Sequence, residues 1–164
     1  MSAPREYLLA VDVGLHTGLA LFAANGKLLW YRSHHLSSPG KLKRIITRLL
    51  DSPPQPTRLI VEGSGPLADS WVREAERRDL PCSQINAEDW RSKLLLPRQQ
   101  RHSRQAKQAA IKMAGLAIPL LGGKQPTTLR HDTAEAVLLG VYGLLELGWL
   151  ADGPTKQLLS RHNN

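Results

Sequence analysis

Cysteine is all but missing from this chain: Cys82 is the one example in 164 residues, which excludes an intrachain disulfide and a cysteine-rich zinc site. A reduced, cytoplasmic setting is the expectation that follows. Cys82 itself reads as a small buried hydrophobe. Aromatic residues are also scarce, at 5%, so a platform for stacked bases has few candidates. Trp71 and Trp90 are two of them, and on helices with apolar neighbours they read better as core packing. Long apolar runs are missing as well. The run that starts at Leu8 is broken by Asp12, and residues 134–150 are interrupted by Glu135 and Glu146, short of a membrane span. Residues 1–7 carry Arg5 and Glu6 and lead into no small-residue cleavage site, so no signal peptide is expected. Internal repeats and low-complexity tracts are absent too.

The last absence concerns charge of one sign. No acidic residue occurs between Asp89 and Asp132, while Arg91, Lys93, Arg98, Arg101, Arg104, Lys107, Lys112, Lys124 and Arg130 all fall there. The whole chain has a formal charge of +8 and a pI near 10.1. Such an excess is the footprint of a surface that binds a polyanion, with nucleic acid ahead of an anionic membrane. The nine cations are therefore the expected phosphate contacts. Their competing reading is an ordinary solvated helical surface. The length, with 41% hydrophobic residues, suits one domain around one sizeable core over residues 1–151, followed by a short polar tail, 152–164.

Residues 7–13 form an apolar run, and after Gly14-Leu15-His16 a second run, 17–23, follows at once. Both read as buried strands. Asn25-Gly26 suits a tight type I′ turn, whose two central positions take positive φ, and residues 27–34 continue as a third strand. Ser38-Pro39 starts a helix with Leu42, Ile45, Ile46, Leu49 and Leu50 at helical spacing, and Ser52-Pro53-Pro54 stops it. Residues 58–61 make a strand ending at Glu62, residues 67–78 a helix, and residues 82–85 a strand entered through Pro81. The remaining pattern is helical, over 87–95, 103–116 and 132–147, and the connection at 119–130 reads as a mobile loop because it holds Gly122-Gly123 and Pro126. The order β-β-β-α-β-α-β gives an α/β fold with a mixed five-stranded sheet, antiparallel across its first three strands and parallel further in, flanked by helices.

Two acids interrupt apolar strands: Asp12 in Leu8-Leu9-Ala10-Val11-Asp12, and Glu62 in Leu59-Ile60-Val61-Glu62. A buried carboxylate without a partner raises its pKa or acquires a cation, and where several converge the usual compensation is a metal. Gly14 and Gly63 follow closely and let a ligand or backbone approach. Taken singly, each acid also reads as a strand-end residue that meets solvent. Asp132 and Glu135, at i and i+3, share one face in the first turn of the final helix. They read either as an N-cap with its capping-box partner or as the completion of a metal site with Asp12 and Glu62. Four hard oxygen donors, without cysteine or paired histidine spacing, point to Mg2+ or Mn2+. Two such ions, about 3.5–4 Å apart, activate a water and stabilise the leaving oxygen during in-line attack on a phosphodiester. The basic segment would hold the polyanion that four carboxylates alone repel.

Asp12-Val13-Gly14-Leu15-His16-Thr17-Gly18, Ile60-Val61-Glu62 and His131-Asp132-Thr133-Ala134-Glu135-Ala136 fall in this order in the chain. They resemble, in turn, the Asp-x-Gly…Thr-Gly opening, the second acidic strand and the closing Asp-x-x-Asp helix of RuvC-like Holliday-junction resolvases, in the RNase H-like superfamily. The match spans roughly residues 7–147. The resemblance implies an RNase H-like fold, dependence on two Mg2+ ions with Mn2+ as a substitute, and hydrolysis of branched DNA to leave 3′-hydroxyl and 5′-phosphate ends. It implies that Asp12, Glu62, Asp132 and Glu135 are catalytic metal ligands and that Lys107 lies near the scissile phosphate. Lys107 reads equally as a solvated helix residue, and His131 either supports the site from outside or lies in the turn before the last helix. DNA is the implied partner, four-way junctions first, and symmetric cutting of a junction implies two active sites, as in a homodimer. Three features depart from the family. Glu135 stands where members more often have Asp. Gly63-Ser64-Gly65-Pro66 lacks the aromatic that members place after the second acid to wedge into the junction. The segment from Glu62 to Trp90 is shorter than in bacterial members, whose long helix there forms the dimer.

Other classes meet the same residues. Asp-x-Gly-x-x-Thr-Gly also resembles the first phosphate loop of actin-like and sugar-kinase ATPases, but the chain has a single opening of that kind and no second glycine-rich phosphate loop after a strand. A non-catalytic DNA-binding module suits the basic charge, yet a pure binder gains by neutralising its acids. Within the nuclease reading, RNA–DNA hybrid and other branched DNA stay open as substrates.

Overall fold

In the computed structural model, which describes residues 5–36, 38–150, 152–154 and 157–158, three strands come first: β1 (Tyr7–Asp12), β2 (His16–Ala23) and β3 (Leu28–His35). They are followed by α1 (Pro39–Asp51), β4 (Arg58–Glu62), α2 (Pro66–Arg77), β5 (Cys82–Ile85) and α3 (Ala87–Leu94). A 3-10 turn (Pro97–Gln100), α4 (Ser103–Leu120) and α5 (His131–Leu147) complete the order. The strands form one sheet, β3-β2-β1-β4-β5. β1 and β3 run antiparallel to β2, whereas β4 is parallel to both β1 and β5. This is the mixed five-stranded α/β sheet that the hydrophobic runs predict.

The two-residue period of a strand sorts each run between two cores. Leu9 and Val11 of β1, Leu19 and Leu21 of β2, and Leu59 and Val61 of β4 pack with Leu42, Ile46, Leu49 and Leu50 of α1 and Ala68, Trp71 and Ala75 of α2. The alternate residues Leu8, Ala10, Ala20, Phe22 and Ile60 face α3, α4 and α5. Asp12 and Glu62 continue this second series, so the pleat points both carboxylates toward α5.

Close approach of α5 depends on missing side chains. A Cβ at Gly18 would stand 2.0 Å from the carbonyl oxygen of Asp132, and one at Gly140 would stand 2.0 Å from the Phe22 ring. Gly18 is the β2 partner of Asp12 in the antiparallel register. The start of α5 therefore lies directly over the strand next to the first acid, which an alanine at Gly18 would prevent.

Several boundaries differ from the sequence expectation. α4 runs on to Leu120 with Pro119 in its last turn, because Ala117 and Ile118 are fully buried and tertiary packing outweighs local propensity there. The following connection is tied to β3, since Leu28 N–H donates to the Leu121 carbonyl at 2.9 Å and the Tyr31 hydroxyl donates to the Lys124 carbonyl. Cys82 is half-buried, and burial pushes its thiol up to about 11, in keeping with an inert residue. Among the residues expected as a polar tail, Leu158 is buried in the core on the α4 and α5 side; residues 155–156 and 159–164 lie outside those described. No helix among the described residues is long and apolar enough to cross a membrane.

Candidate active site

Asp12 and Glu62 end neighbouring parallel strands and are direct partners in register. The same row across the sheet holds Ser33, Gly18 and Ile85. This is the carboxyl end of the parallel strands, where open α/β sheets build their sites. α3 and α5 both begin at this edge, and α5 contributes Asp132 and Glu135. Three of the four acids are buried, with exposures of 8% for Glu62, 2% for Asp132 and 6% for Glu135; Asp12 is half-buried.

The capping alternative for Asp132 and Glu135 does not hold. Arg130 occupies the N-cap position, and no side chain caps the helix start. The Asp132 carboxylate instead accepts a hydrogen bond from the Ser33 hydroxyl of β3 and one from Arg130 Nε at 3.3 Å. Glu135 is ion-paired with Arg91, at 2.5 Å. Glu62 accepts a hydrogen bond from the Trp90 indole N–H at 2.8 Å.

Asp12 sits among the other three. Burial, then the charges of Glu62 and Glu135, then hydrogen bonding to Glu135 push it from an ordinary value of 3.8 up to about 9. Burial likewise raises Glu62, while its bond from Trp90 holds it back. Desolvation and like charge act together here, and both are relieved by a cation. The donor set is all carboxylate oxygen, which suits a hard divalent ion of the Mg2+ or Mn2+ type. Among the described residues no three acidic, imidazole or thiol groups are already gathered as a ready-made metal cage. The acids are instead divided among protein partners that an ion would share or displace.

The predicted phosphate contacts fall into two groups. Arg91 and Arg130 are engaged with the acids, and Lys93 is paired with Glu146 at 3.0 Å. Arg98, Arg101, Arg104, Lys107, Lys112 and Lys124 are exposed. Lys107 is exposed on α4, and no hydrogen bond or ion pair joins it to any of the four acids. His131 is exposed as the first residue of α5 rather than in the turn before it. Trp90 is fully buried as core packing requires, but it is also a hydrogen-bond donor to an acid. Sequence reasoning missed that bond, the Ser33 contact and the ion pair of Arg91. Those contacts join residues 28, 99 and 44 positions apart, and no local pattern encodes them. A cleft between α1 and α2, lined by Lys43, Ile46, Ser70, Arg73 and Arg77 among others, contains none of the acids.

No protein-family model matches the chain, and no curated protein matches it by sequence. Its structure is nonetheless similar to solved ones. A T. thermophilus RuvC, in complex with a Holliday junction substrate, superposes with a TM-score of 0.60 at 16% identity over 87% of this chain and 96% of that one. The Fowlpox virus resolvase, in complex with Holliday junction DNA, gives 0.60 at 16% identity over 86% of this chain and 98% of that one. The likeness covers most of this chain and nearly the whole of each of the other two. This chain has the RNase H-like fold, in the form taken by the RuvC-type Holliday-junction resolvases.

Proposed function

We propose that the chain is a divalent-metal-dependent endonuclease that hydrolyses phosphodiesters of branched DNA, with the four-way junction as its substrate. The observation that carries this reading is the convergence of Asp12, Glu62, Asp132 and Glu135 at one sheet edge, with Asp12 pushed up to about 9 by its acidic neighbours and burial. Residues that serve only the fold do not bring together four acids, three of them buried, at the expense of desolvation and repulsion. The likeness to two junction resolvases supports the choice of substrate.

In this reading Asp12, Glu62, Asp132 and Glu135 hold the metal. Bound Mg2+ or Mn2+ supplies the activation of water and the stabilisation of charge on the leaving 3′ oxygen, and the products carry 3′-hydroxyl and 5′-phosphate ends. The protein's own part is to keep the carboxylates fixed and partly dry, so that they would hold a divalent ion firmly in place beside the reacting phosphate. The exposed cations of α4, with Lys124 in the connection after it, steer and hold the DNA backbone and give binding its salt dependence. Lys107 is the cation assigned to the scissile phosphate. Paired cuts in a symmetric junction call for two copies of the site, which a homodimer supplies.

The test is cleavage of a synthetic four-way junction, compared with linear duplex and RNA–DNA hybrid, in Mg2+ or Mn2+, by wild type and Asp12→Asn. Paired nicks confined to the junction, lost in the variant, are the expected result. Cutting of the hybrid alone would move the chain to a ribonuclease, and binding without cutting would make it a DNA-binding module.

A further inference from the structure

α3 lies beside the carboxylates without contributing an acid to them, yet two consecutive residues of it reach two different acids. Successive helix residues are turned by about 100°, so Trp90 meets Glu62 on β4 while Arg91 meets Glu135 on α5. The helix is fixed at both ends. Asn86 and Asp89 form a reciprocal capping box at its start, and Lys93 pairs with Glu146 of α5 near its end.

The two contacts differ in kind. The Trp90 ring is fully buried, and its N–H donates to Glu62 Oε2 at 2.8 Å, which orients the carboxylate and leaves Oε1 as an acceptor. Trp71, equally buried in the opposite core, has an indole N–H with no partner among the described residues. Burial of a tryptophan in this molecule therefore does not by itself demand a bond, and the one at Trp90 is specific to the acid. Arg91 grips Glu135 through Nη2, and its buried Nε has no partner among the described residues. Such a one-point grip is weaker than the two-point fork that guanidinium and carboxylate otherwise form. It places one positive charge where a metal ion would place two.

We propose that α3 is a two-residue brace for the metal centre: Trp90 positions Glu62 for the ion, and Arg91 is a resident counter-charge on Glu135 that the ion displaces on binding. This rests on the reading of the four acids as a metal site. It makes opposite predictions for adjacent residues. Outer-shell partners that orient a ligand typically contribute 10- to 100-fold to metal affinity, so Trp90→Phe weakens Mn2+ binding by about that factor. Removing a competing cation has the reverse effect, and Arg91→Met tightens Mn2+ binding by about tenfold while lowering the melting temperature of the metal-free protein.

The measurement is Mn2+ titration of the full chain by calorimetry, without DNA, together with melting temperatures with and without Mn2+. Wild type, Asp12→Asn, Trp90→Phe, Arg91→Met and Trp71→Phe are compared. Trp71→Phe is the control for lost indole volume and keeps the wild-type Mn2+ affinity. Weaker binding in Trp90→Phe, tighter binding in Arg91→Met and no change in Trp71→Phe support the brace. If wild type binds Mn2+ through Asp12 but both α3 variants bind it equally well, or if Trp71→Phe weakens binding as much as Trp90→Phe, the brace is wrong and the metal centre stands. If wild type binds no Mn2+, or Asp12→Asn binds as wild type does, both readings fall.

Discussion

The two faces of the sheet are made from the same strands and do different work. On the α1 and α2 face, alternate residues of β1, β2 and β4 meet two short amphipathic helices in an aliphatic core around Trp71. Ionic groups on that side stay outside it, in the cluster of Glu74 with Arg77 and Arg78, the last also paired with Asp51. On the α5 face the intervening residues are smaller, with Ala10 and Ala20 on the strands and Gly140 and Gly143 on the helix. There the glycines let α5 pack directly onto the strands, and the buried charged residues Glu62, Asp132 and Glu135 are on this side. Stability without chemistry on one face, and close packing that presses charge together on the other, is the division that substitutions should expose.

The largest expected effect on the first face is from Leu9→Ala, fully buried against α1 and α2. It should reduce stability by about 2–5 kcal/mol in chemical denaturation, with Mn2+ affinity unchanged in the folded fraction. Altered affinity would mean that the two faces are coupled. On the second face, Gly18→Ala should cost about 1–3 kcal/mol by overpacking. Because the new methyl group would meet the backbone of Asp132, junction cleavage should also fall, by about 100-fold. Gly40, with open space around it on α1, is the matched control: its replacement by alanine should leave cleavage as it is.

The pH dependence separates the faces next. Asp12 is raised in the folded protein from 3.8 to about 9, so its contribution to stability is fully present below pH 3.8 and is lost as pH rises toward 9. The melting temperature of the metal-free protein should therefore fall across that window. Asp12→Asn should flatten the fall, and a saturating divalent ion should oppose it; an equal slope in the variant would remove Asp12 as its cause. Glu74, on the other face, is held down to about 2 by Arg77 and Arg78, so its contribution is present above pH 4.5 and is lost as pH falls toward 2. The smallest effect is from Glu74→Gln, which should change stability at pH 7 by about 1 kcal/mol, because its partner Arg77 and the neighbouring Asp51 are largely exposed to solvent.

Much of the site was legible before the fold. Asp12 and Glu62 stand out because an acid inside an aliphatic run is costly, and the two-residue period puts them on one face with Ala10 and Ile60. Asp132 and Glu135 share a helix face by their spacing. The roles of the basic segment were less legible. Arg91, Lys93 and Arg130 have the composition of phosphate contacts, but in the structure each is paired with an acid from α5. Charge counts cannot separate a cation available to phosphate from one already paired with a carboxylate.

The sequence alone determined the order of the strands and main helices, the mixed sheet, and which four acids to consider together, because periodicity and the cost of burying charge act over a few residues. Only the tertiary structure decided that Gly18 lets α5 down onto β2, that Ser33 meets Asp132, and that Trp90 and Arg91 hold Glu62 and Glu135. These contacts arise when strands and helices far apart in the chain are packed at fixed separation and angle, and packing geometry leaves no mark at either residue's own position.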